Sequence, residues 1–261
     1  MPRIAAVLFD LGNTLWHFPN RPPQDVVAAE TRRRIFRLLR GWGFEGTPER
    51  FLLASDIRKA AEGAEERAFQ GDCLDPDYSE ICRRAAARHG LALTPEQGEE
   101  LWEAWNLEGA FVGRALFPDV LETMHWLKGR GYRLGSVTNR RWAGPRFQQE
   151  MRDLGLTDLF EVVAASCQVG YMKPDPRLFH YALDRMGIEP EEAVMVGDSL
   201  RGDVEGSQAL GMTAVWRRPP ARGLADGSDK GPGEWSEAPG PVVPDYVIDT
   251  LAELKSLPIL P

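Results

Sequence analysis

The sequence predicts an α/β fold in which a parallel sheet is interrupted by a long all-helical insertion. Short runs that are apolar on both faces, such as residues 4–9, read as central strands of a parallel sheet. From Phe117 onward such runs alternate with amphipathic helices, the pattern of a sheet covered by helices on both sides. Between these parts, residues 17–115 look almost wholly helical.

The elements follow in order. Residues 4–9 form the first strand. Residues 24–40 form an amphipathic helix stopped by Gly41. Residues 48–67, 76–89 and 95–110 repeat that pattern. Thr47 before Pro48, and Thr94 before Pro95, suit an N-cap followed by a first-turn proline. After Pro118 come a helix at 119–130, a strand at 132–138 and a helix at 145–154. A strand at 161–165, a helix at 176–186 and a strand at 193–196 continue the alternation. A helix at 200–210 and a strand at 213–215 follow. Residues 217–244, rich in Pro, Gly and Ser and including Lys230, predict an irregular mobile loop. A short edge strand at 246–248 and a closing helix at 250–257 complete the pattern.

Composition narrows the function. A length of 261 residues exceeds one average domain and predicts a main domain with a smaller companion. A formal net charge of -8 argues against nucleic acid and anionic membranes as partners, since both need clustered positive charge. No run reaches the ~20 apolar residues of a membrane span. The first strand begins without a charged-then-apolar leader, so a reducing cytoplasmic setting is expected. Cys73, Cys82 and Cys167 form an odd set without close spacing, which predicts neither a disulfide framework nor a zinc site. A homodimer is compatible with all of this.

In open parallel sheets, ligands bind beyond the C-terminal strand ends, where strand order reverses. Asp10, Thr138 and Asp198 all follow predicted strand ends and are expected to meet there. Alone, Asp10 reads as a turn acid beside Gly12 and Asn13; in company, its carboxylate can attack an electrophilic centre. Lys173 is one of five lysines and stands in the loop Gly170-Tyr171-Met172-Lys173-Pro174-Asp175-Pro176. A lone lysine is usually solvated, but here its charge could neutralise Asp10 and a phosphate. The Thr138 hydroxyl can donate to a phosphoryl oxygen, and Asn139 can orient the loop or the substrate; strand-end capping is the plainer explanation of both. Asp198 and Asp203 are hard oxygen donors of the kind that suits Mg²⁺. Asp203 also fits a first-turn acid favoured by the helix dipole.

The phrases Phe9-Asp10-Leu11-Gly12-Asn13-Thr14-Leu15, Val137-Thr138-Asn139, Lys173-Pro174-Asp175-Pro176 and Gly197-Asp198-Ser199 with Asp203 resemble, in this order, the four motifs of the haloacid dehalogenase-like hydrolase superfamily. The resemblance implies a Rossmann-like core of residues 1–16 and 116–261 with a helical cap of residues 17–115. It implies that Asp10 is a nucleophile forming an aspartyl-phosphate, with Thr138 and Lys173 catalytic. Thr138, Asn139 and Lys173 would bind substrate. Mg²⁺ would be held by Asp10, Gly12, Asp198 and Asp203, the last either as a ligand or as the orienter of a metal-bound water. The implied activity is Mg²⁺-dependent hydrolysis of a small phosphorylated metabolite.

One position departs from the pattern. Many phosphatases of this family carry a second Asp two residues after the nucleophile, as general acid and base. Gly12 stands there instead; its carbonyl can still bind a metal but transfers no proton. A positioned acid or base contributes about 10²–10⁴ in rate, so activity should depend steeply on leaving-group acidity. His17 is the nearest substitute in sequence, though a lone His is more often incidental. Trp16 and Phe18 fit packing between domains better than an entrance lining. Arg140 and Arg141 could bind a second anionic group, although such pairs are more often solvated.

Gly12 also keeps a 2-haloacid dehalogenase-type hydrolase open, since attack on carbon needs neither metal nor general acid. The Asp198 and Asp203 pair argues against it, because halide displacement gains nothing from a dication. A phosphonate-cleaving enzyme would need an imine-forming lysine in the cap, and nothing marks Lys59, the sole lysine there. A catalytically impaired phospholigand-binding protein is the non-enzyme alternative, disfavoured by the joint presence of Asp10, Lys173 and Asp198.

Overall fold

Ala6–Phe9 (β1) is buried along its whole length because both of its faces are packed and both of its edges are paired. The structure, a computed structural model, describes residues 3–44, 48–219 and 241–261. Trp16–His17 (β2) and Ala115–Leu116 (β3) form a separate antiparallel ribbon that the sequence pattern did not reveal. Arg133–Thr138 (β4), Val162–Ala165 (β5), Ala193–Gly197 (β6), Thr213–Arg217 (β7) and Tyr246–Ile248 (β8) complete the main sheet. Its six strands run in the order β5-β4-β1-β6-β7-β8, and every pairing is parallel. The chain leaves β1 for β4 and β5 on one side, then crosses to β6 on the other. The order therefore reverses at β1, the place where such sheets bind ligands.

Side chains of a strand alternate between faces. Val7 and Phe9 pack with Val120, Met124 and Leu127 of one helix and Phe147 and Met151 of another. Ala6 and Leu8 pack with Leu178, Phe179 and Leu183 on the opposite face. Burying Leu8 or Phe9 stabilises by about 1.5–3 kcal/mol, and a one-residue slip would reverse both faces, so the register is firmly specified.

Gln24–Gly41 (α1), Leu53–Gln70 (α2), Tyr78–Arg88 (α3) and Pro95–Trp105 (α4) share a core of their own, with Ile35, Leu39, Ile57, Cys82 and Leu101 at its centre. The helices on the sheet are Val120–Gly129 (α5), Pro145–Asp153 (α6), the short Ser166–Val169 (α7) and Pro176–Met186 (α8). A single turn of helix, Gly206–Gln208 (α9), precedes β7.

Several boundaries differ from expectation for identifiable reasons. The helix expected over 48–67 opens as a 3₁₀ turn, Pro48–Leu52, before α2; Thr47 lies outside the described residues. The helix expected at 76 begins at Tyr78, because the Asp77 side chain accepts from the Glu80 N–H at 2.9 Å and fixes the cap there. Thr94 and Gln97 form the capping box of α4, which ends early where Asn106 turns extended and its amide bonds the Trp102 carbonyl at 2.7 Å. The helix expected over 200–210 is a π-helical turn, Leu200–Glu205, running into α9. The closing helix is a 3₁₀ turn, Leu251–Ser256. Of the loop expected over 217–244, residues 220–240, with Lys230, lie outside the described residues; Arg217 still belongs to β7.

Candidate active site

Three adjacent strands deliver the expected residues to one rim. Asp10 follows β1, Thr138 ends β4 and Asp198 follows β6. Asp10 is tied to β6 by its N–H, which donates to the Val196 carbonyl at 2.9 Å. Its side chain is nearly closed over, with 7% of the residue exposed.

Lys173 reaches the same point from the loop before α8. Its Nζ donates to Asp10 Oδ1 at 2.7 Å, to Asp203 Oδ1 at 2.6 Å and to the Val137 carbonyl at 2.9 Å. An ammonium has three hydrogens, and each finds an acceptor. Burial works against the charge on Lys173, but Asp10 and Asp203 outweigh it and hold the pKa above its ordinary value. Lys173 is therefore a fixed cation rather than a proton donor.

Asn139 holds this loop in place. Its Oδ1 accepts from the Lys173 N–H at 2.6 Å, and its Nδ2 donates to the Lys173 carbonyl at 3.1 Å. With its amide so used, Asn139 positions Lys173. Thr138 is buried, and its hydroxyl has no hydrogen-bond partner among the described residues.

The two acids after β6 differ in their surroundings. Asp203 uses both oxygens: one accepts from Lys173, and the other accepts from the Ser199 N–H at 2.9 Å. The π-helical turn, capped by Ser199, aims it inward. Gly197 is required by this approach, since a Cβ there would stand 2.2 Å from the Asp203 carboxylate. Asp198 accepts from Asn13 Nδ2 at 3.2 Å through Oδ2 alone. Among the described residues, no donor meets Asp198 Oδ1 or Asp10 Oδ2.

Oxygens of Asp10, Asp198 and Asp203 lie within 4.8 Å of one another. One ammonium faces three carboxylates, so the cluster holds excess negative charge in a buried place. Burial, then the charges of Asp10 and Asp203, push the Asp198 carboxyl well above the usual range, with the Asn13 amide and Lys173 opposing. Burial likewise raises Asp203 to about 6 against the pull of Lys173. A crowded set of hard oxygens with two donor-free positions fits a small divalent cation such as Mg²⁺.

Gly12 has open space beside it: a Cβ would meet only Trp16 Nε1, at 3.9 Å. His17 stacks on Phe117 with ring centroids 4.3 Å apart, and burial together with Arg217 holds its pKa below the ordinary value. That environment favours a neutral imidazole and gives no hydrogen bond to Asp10. Trp16 is buried and Phe18 packs near the guanidinium of Arg114, as interior residues do. Lys59 is exposed on α2.

The two arginines after Thr138 part company. Arg141 is paired with Glu65 of α2, whose carboxylate also accepts from the Tyr78 hydroxyl at 2.8 Å. It ties α2 to the loop after β4 and is neither solvated, the more usual state of such a pair, nor free to bind an anion. Arg140 turns the other way, over the Phe147 ring at 3.9 Å.

Asn13 and Arg217 had no assigned role in the sequence. Asn13 adopts φ 52, a left-handed conformation that Asn tolerates, and this turns its amide toward Asp198. Arg217, buried over the Phe117 ring, donates to the Asn13 carbonyl and steadies that turn. The Gly12-Asn13 pair signals a turn, but the direction of its amide depends on where β6 lies.

A family model described as haloacid dehalogenase-like hydrolase matches residues 4–211. The chain belongs to the haloacid dehalogenase-like hydrolases. A related model matches residues 170–254. The chain is 30% identical over 257 residues to a ribulose-1,5-bisphosphate 5-phosphatase from Halopiger xanaduensis, covering 97% of this chain and 98% of that protein. It is 29% identical over 216 residues to a glyceraldehyde 3-phosphate phosphatase from Methanopyrus kandleri, covering 81% and 83%. A solved HAD phosphatase from Thermococcus onnurineus aligns over 97% of both chains with a TM-score of 0.55 and 29% identity. Membership of this hydrolase family agrees with the parallel, Rossmann-like sheet and its helical insertion. Among the described residues, no helix is long and apolar enough to cross a membrane.

Proposed function

We propose that the chain is a phosphatase of small phosphorylated metabolites, acting through an aspartyl-phosphate on Asp10 with Mg²⁺ as cofactor. The carrying observation is the Lys173 ammonium held between Asp10 and Asp203, at 2.7 and 2.6 Å, in a cluster of three carboxylates that keeps excess negative charge. Relatives named as phosphatases support the phosphoester class.

In this reading Asp10 Oδ2, which has no protein donor, attacks phosphorus as the P–O bond to the leaving group breaks, and water then cleaves the aspartyl-phosphate and restores the carboxylate; Oδ1 keeps Lys173 and is the oxygen left to face the cation. Lys173 offsets the repulsion between carboxylate and phosphate. Thr138 donates its hydroxyl to a phosphoryl oxygen. Asp10, Asp198 and the Gly12 carbonyl would hold Mg²⁺, which supplies charge neutralisation at the transferring group when bound. Asp203, both oxygens engaged, orients Lys173 and the cation's surroundings rather than binding directly. No side chain at Gly12 protonates the leaving group, so esters of acidic alcohols and acyl phosphates are the favoured substrates. Residues 17–115 act as the cap and must lift, since Asp10 is only 7% exposed.

Para-nitrophenyl phosphate with and without Mg²⁺, and 2-chloropropionate, test the reading. Metal-dependent phosphate release that disappears in Asp10→Asn is expected. Halide release without metal, or phosphate release unaffected by Asp10→Asn, would overturn it.

A further inference from the structure

Arg114 precedes β3 and Arg140 follows the end of β4, yet both guanidinium groups converge on one carboxylate. Glu150 of α6 binds Arg114 Nη1 and accepts from Arg140 Nη2 at 3.4 Å through the same oxygen; its other oxygen takes the Gly109 N–H. Two cations thus share one anion, and one positive charge is left over. The side chains are only 12% and 13% exposed. The Nε of each is buried and has no hydrogen-bond partner. A guanidinium offers five donors in a planar fork, and buried charge is costly unless paired. Burial, and then the charge of Arg114, bring the Arg140 pKa down to about 9.

The pair adjoins the reaction centre. Arg114 and Arg140 lie over the Trp16 ring, 4.8 and 5.7 Å from its centroid. Trp16 Nε1 in turn stands 3.9 Å from where a Cβ of Gly12 would be, two residues past the nucleophile. Arg140 directly follows Thr138 and Asn139, and the charge of Asp10 acts on it. Arg141 is excluded by its pairing with Glu65.

We propose that the Arg114–Arg140 pair binds a second anionic group of the substrate, a carboxylate or a second phosphate, so that this enzyme selects phosphoesters with an anionic tail. The proposal rests on the phosphatase reading for the phosphate end of the substrate.

Three aryl esters test it, their rates compared after correction by the enzyme's own leaving-group slope: para-carboxyphenyl phosphate and 1,4-phenylene bisphosphate against the neutral-tailed para-carbamoylphenyl phosphate. The wild type should favour an anionic tail at least about tenfold in kcat/KM, mainly through KM, as a charge-assisted contact predicts. The better of the two anionic tails identifies the group. Arg140→Gln and Arg114→Gln should each lower the anionic-to-neutral ratio about ten- to hundredfold. Arg140→Lys, which keeps the charge but not the fork, should lower it less and guards against a variant that fails to fold. An indifferent wild type, or a ratio unchanged in variants with wild-type circular dichroism and melting, would overturn the proposal. If none of the esters is hydrolysed, the phosphatase reading fails separately. Calorimetric binding of para-carboxybenzylphosphonate and para-carbamoylbenzylphosphonate then decides: tighter binding of the first, lost in Arg140→Gln, supports the anion pair, and equal affinities overturn it.

Discussion

Gly12→Asp would place a carboxylate where a proton donor is missing. A Cβ at this position meets only Trp16 Nε1, at an unstrained 3.9 Å, and Gly12 is not among the glycines with positive φ. The Cβ can therefore be added without backbone distortion. Its obstacle is charge, because Asp10, Asp198 and Asp203 already crowd within 4.8 Å of one another. At a separation on the order of 5 Å and an effective dielectric of about 20, one like-charge neighbour costs about 3 kcal/mol. That corresponds to roughly two pKa units upward, toward the range in which a carboxyl is a useful acid at neutral pH. The gain, up to about 10²–10⁴ for a well-placed acid, should fall on poor leaving groups and leave nitrophenolate nearly unaffected. Steady-state kcat/KM measured across aryl and alkyl phosphates gives the slope against leaving-group pKa. A steep wild-type slope, a shallower one in the variant and at least about a tenfold gain on alkyl esters are expected. A flat wild-type slope with chemistry rate-limiting, or an equally steep slope in a folded variant that still cleaves the nitrophenyl ester, would refute the reasoning.

Other expectations concern the charges around the rim. Lys173→Met strands Asp10 and Asp203 without their shared cation, so it should cost about 3–5 kcal/mol in urea unfolding as well as abolishing turnover. Mg²⁺ at about a hundred times its dissociation constant should add about 2.7 kcal/mol, a rise of about 5–10 °C in Tm, and Asp198→Asn should remove that rise even where activity is not measured. Asp75, whose N–H binds the Gly170 carbonyl at 3.0 Å, has its carboxyl pushed up to about 7, by burial first and then by Glu65, with a Ser166 hydrogen bond opposing. Between pH about 4 and 7 the folded state keeps a proton that the unfolded state has released, so stability falls across that window and levels off above it. Asp75→Asn should remove this loss, on the order of a few kcal/mol at pH 8 and nothing near pH 4; parallel unfolding curves for wild type and variant would contradict it.

The sheet was legible because its strands are buried on both faces and their ends carry the reactive residues. That rule placed Asp10, Thr138 and Asp198 together at one rim, while their chemical roles came from the resemblance. Helix ends were less legible, because a cap depends on which side chain captures the free N–H groups: Asp77 caps α3, which starts at Tyr78, two residues later than a reading from Pro76. The segment after Asp198 reads as an ordinary helix by pattern, but its π-helical turn lets Asp203 reach Lys173 and the Ser199 N–H together. Asn139 looked as much like a strand cap as a substrate contact. The fold uses its amide on both sides of Lys173, a pairing across 34 residues that no local pattern encodes.

Residue types, their periodicity and their places at strand ends were properties of the sequence by itself, since burial on two faces and turn chemistry are local matters. Partnership was not. Lys173 and Asp10 stand 163 positions apart and meet only because β1 lies between β4 and β6. Arg140 and Arg141 are neighbours in the chain, yet one is captured by Glu65 and the other joins Arg114 beside Trp16. Electrostatic partners are selected by distance and burial, and those exist only once the strands and the helical insertion have packed.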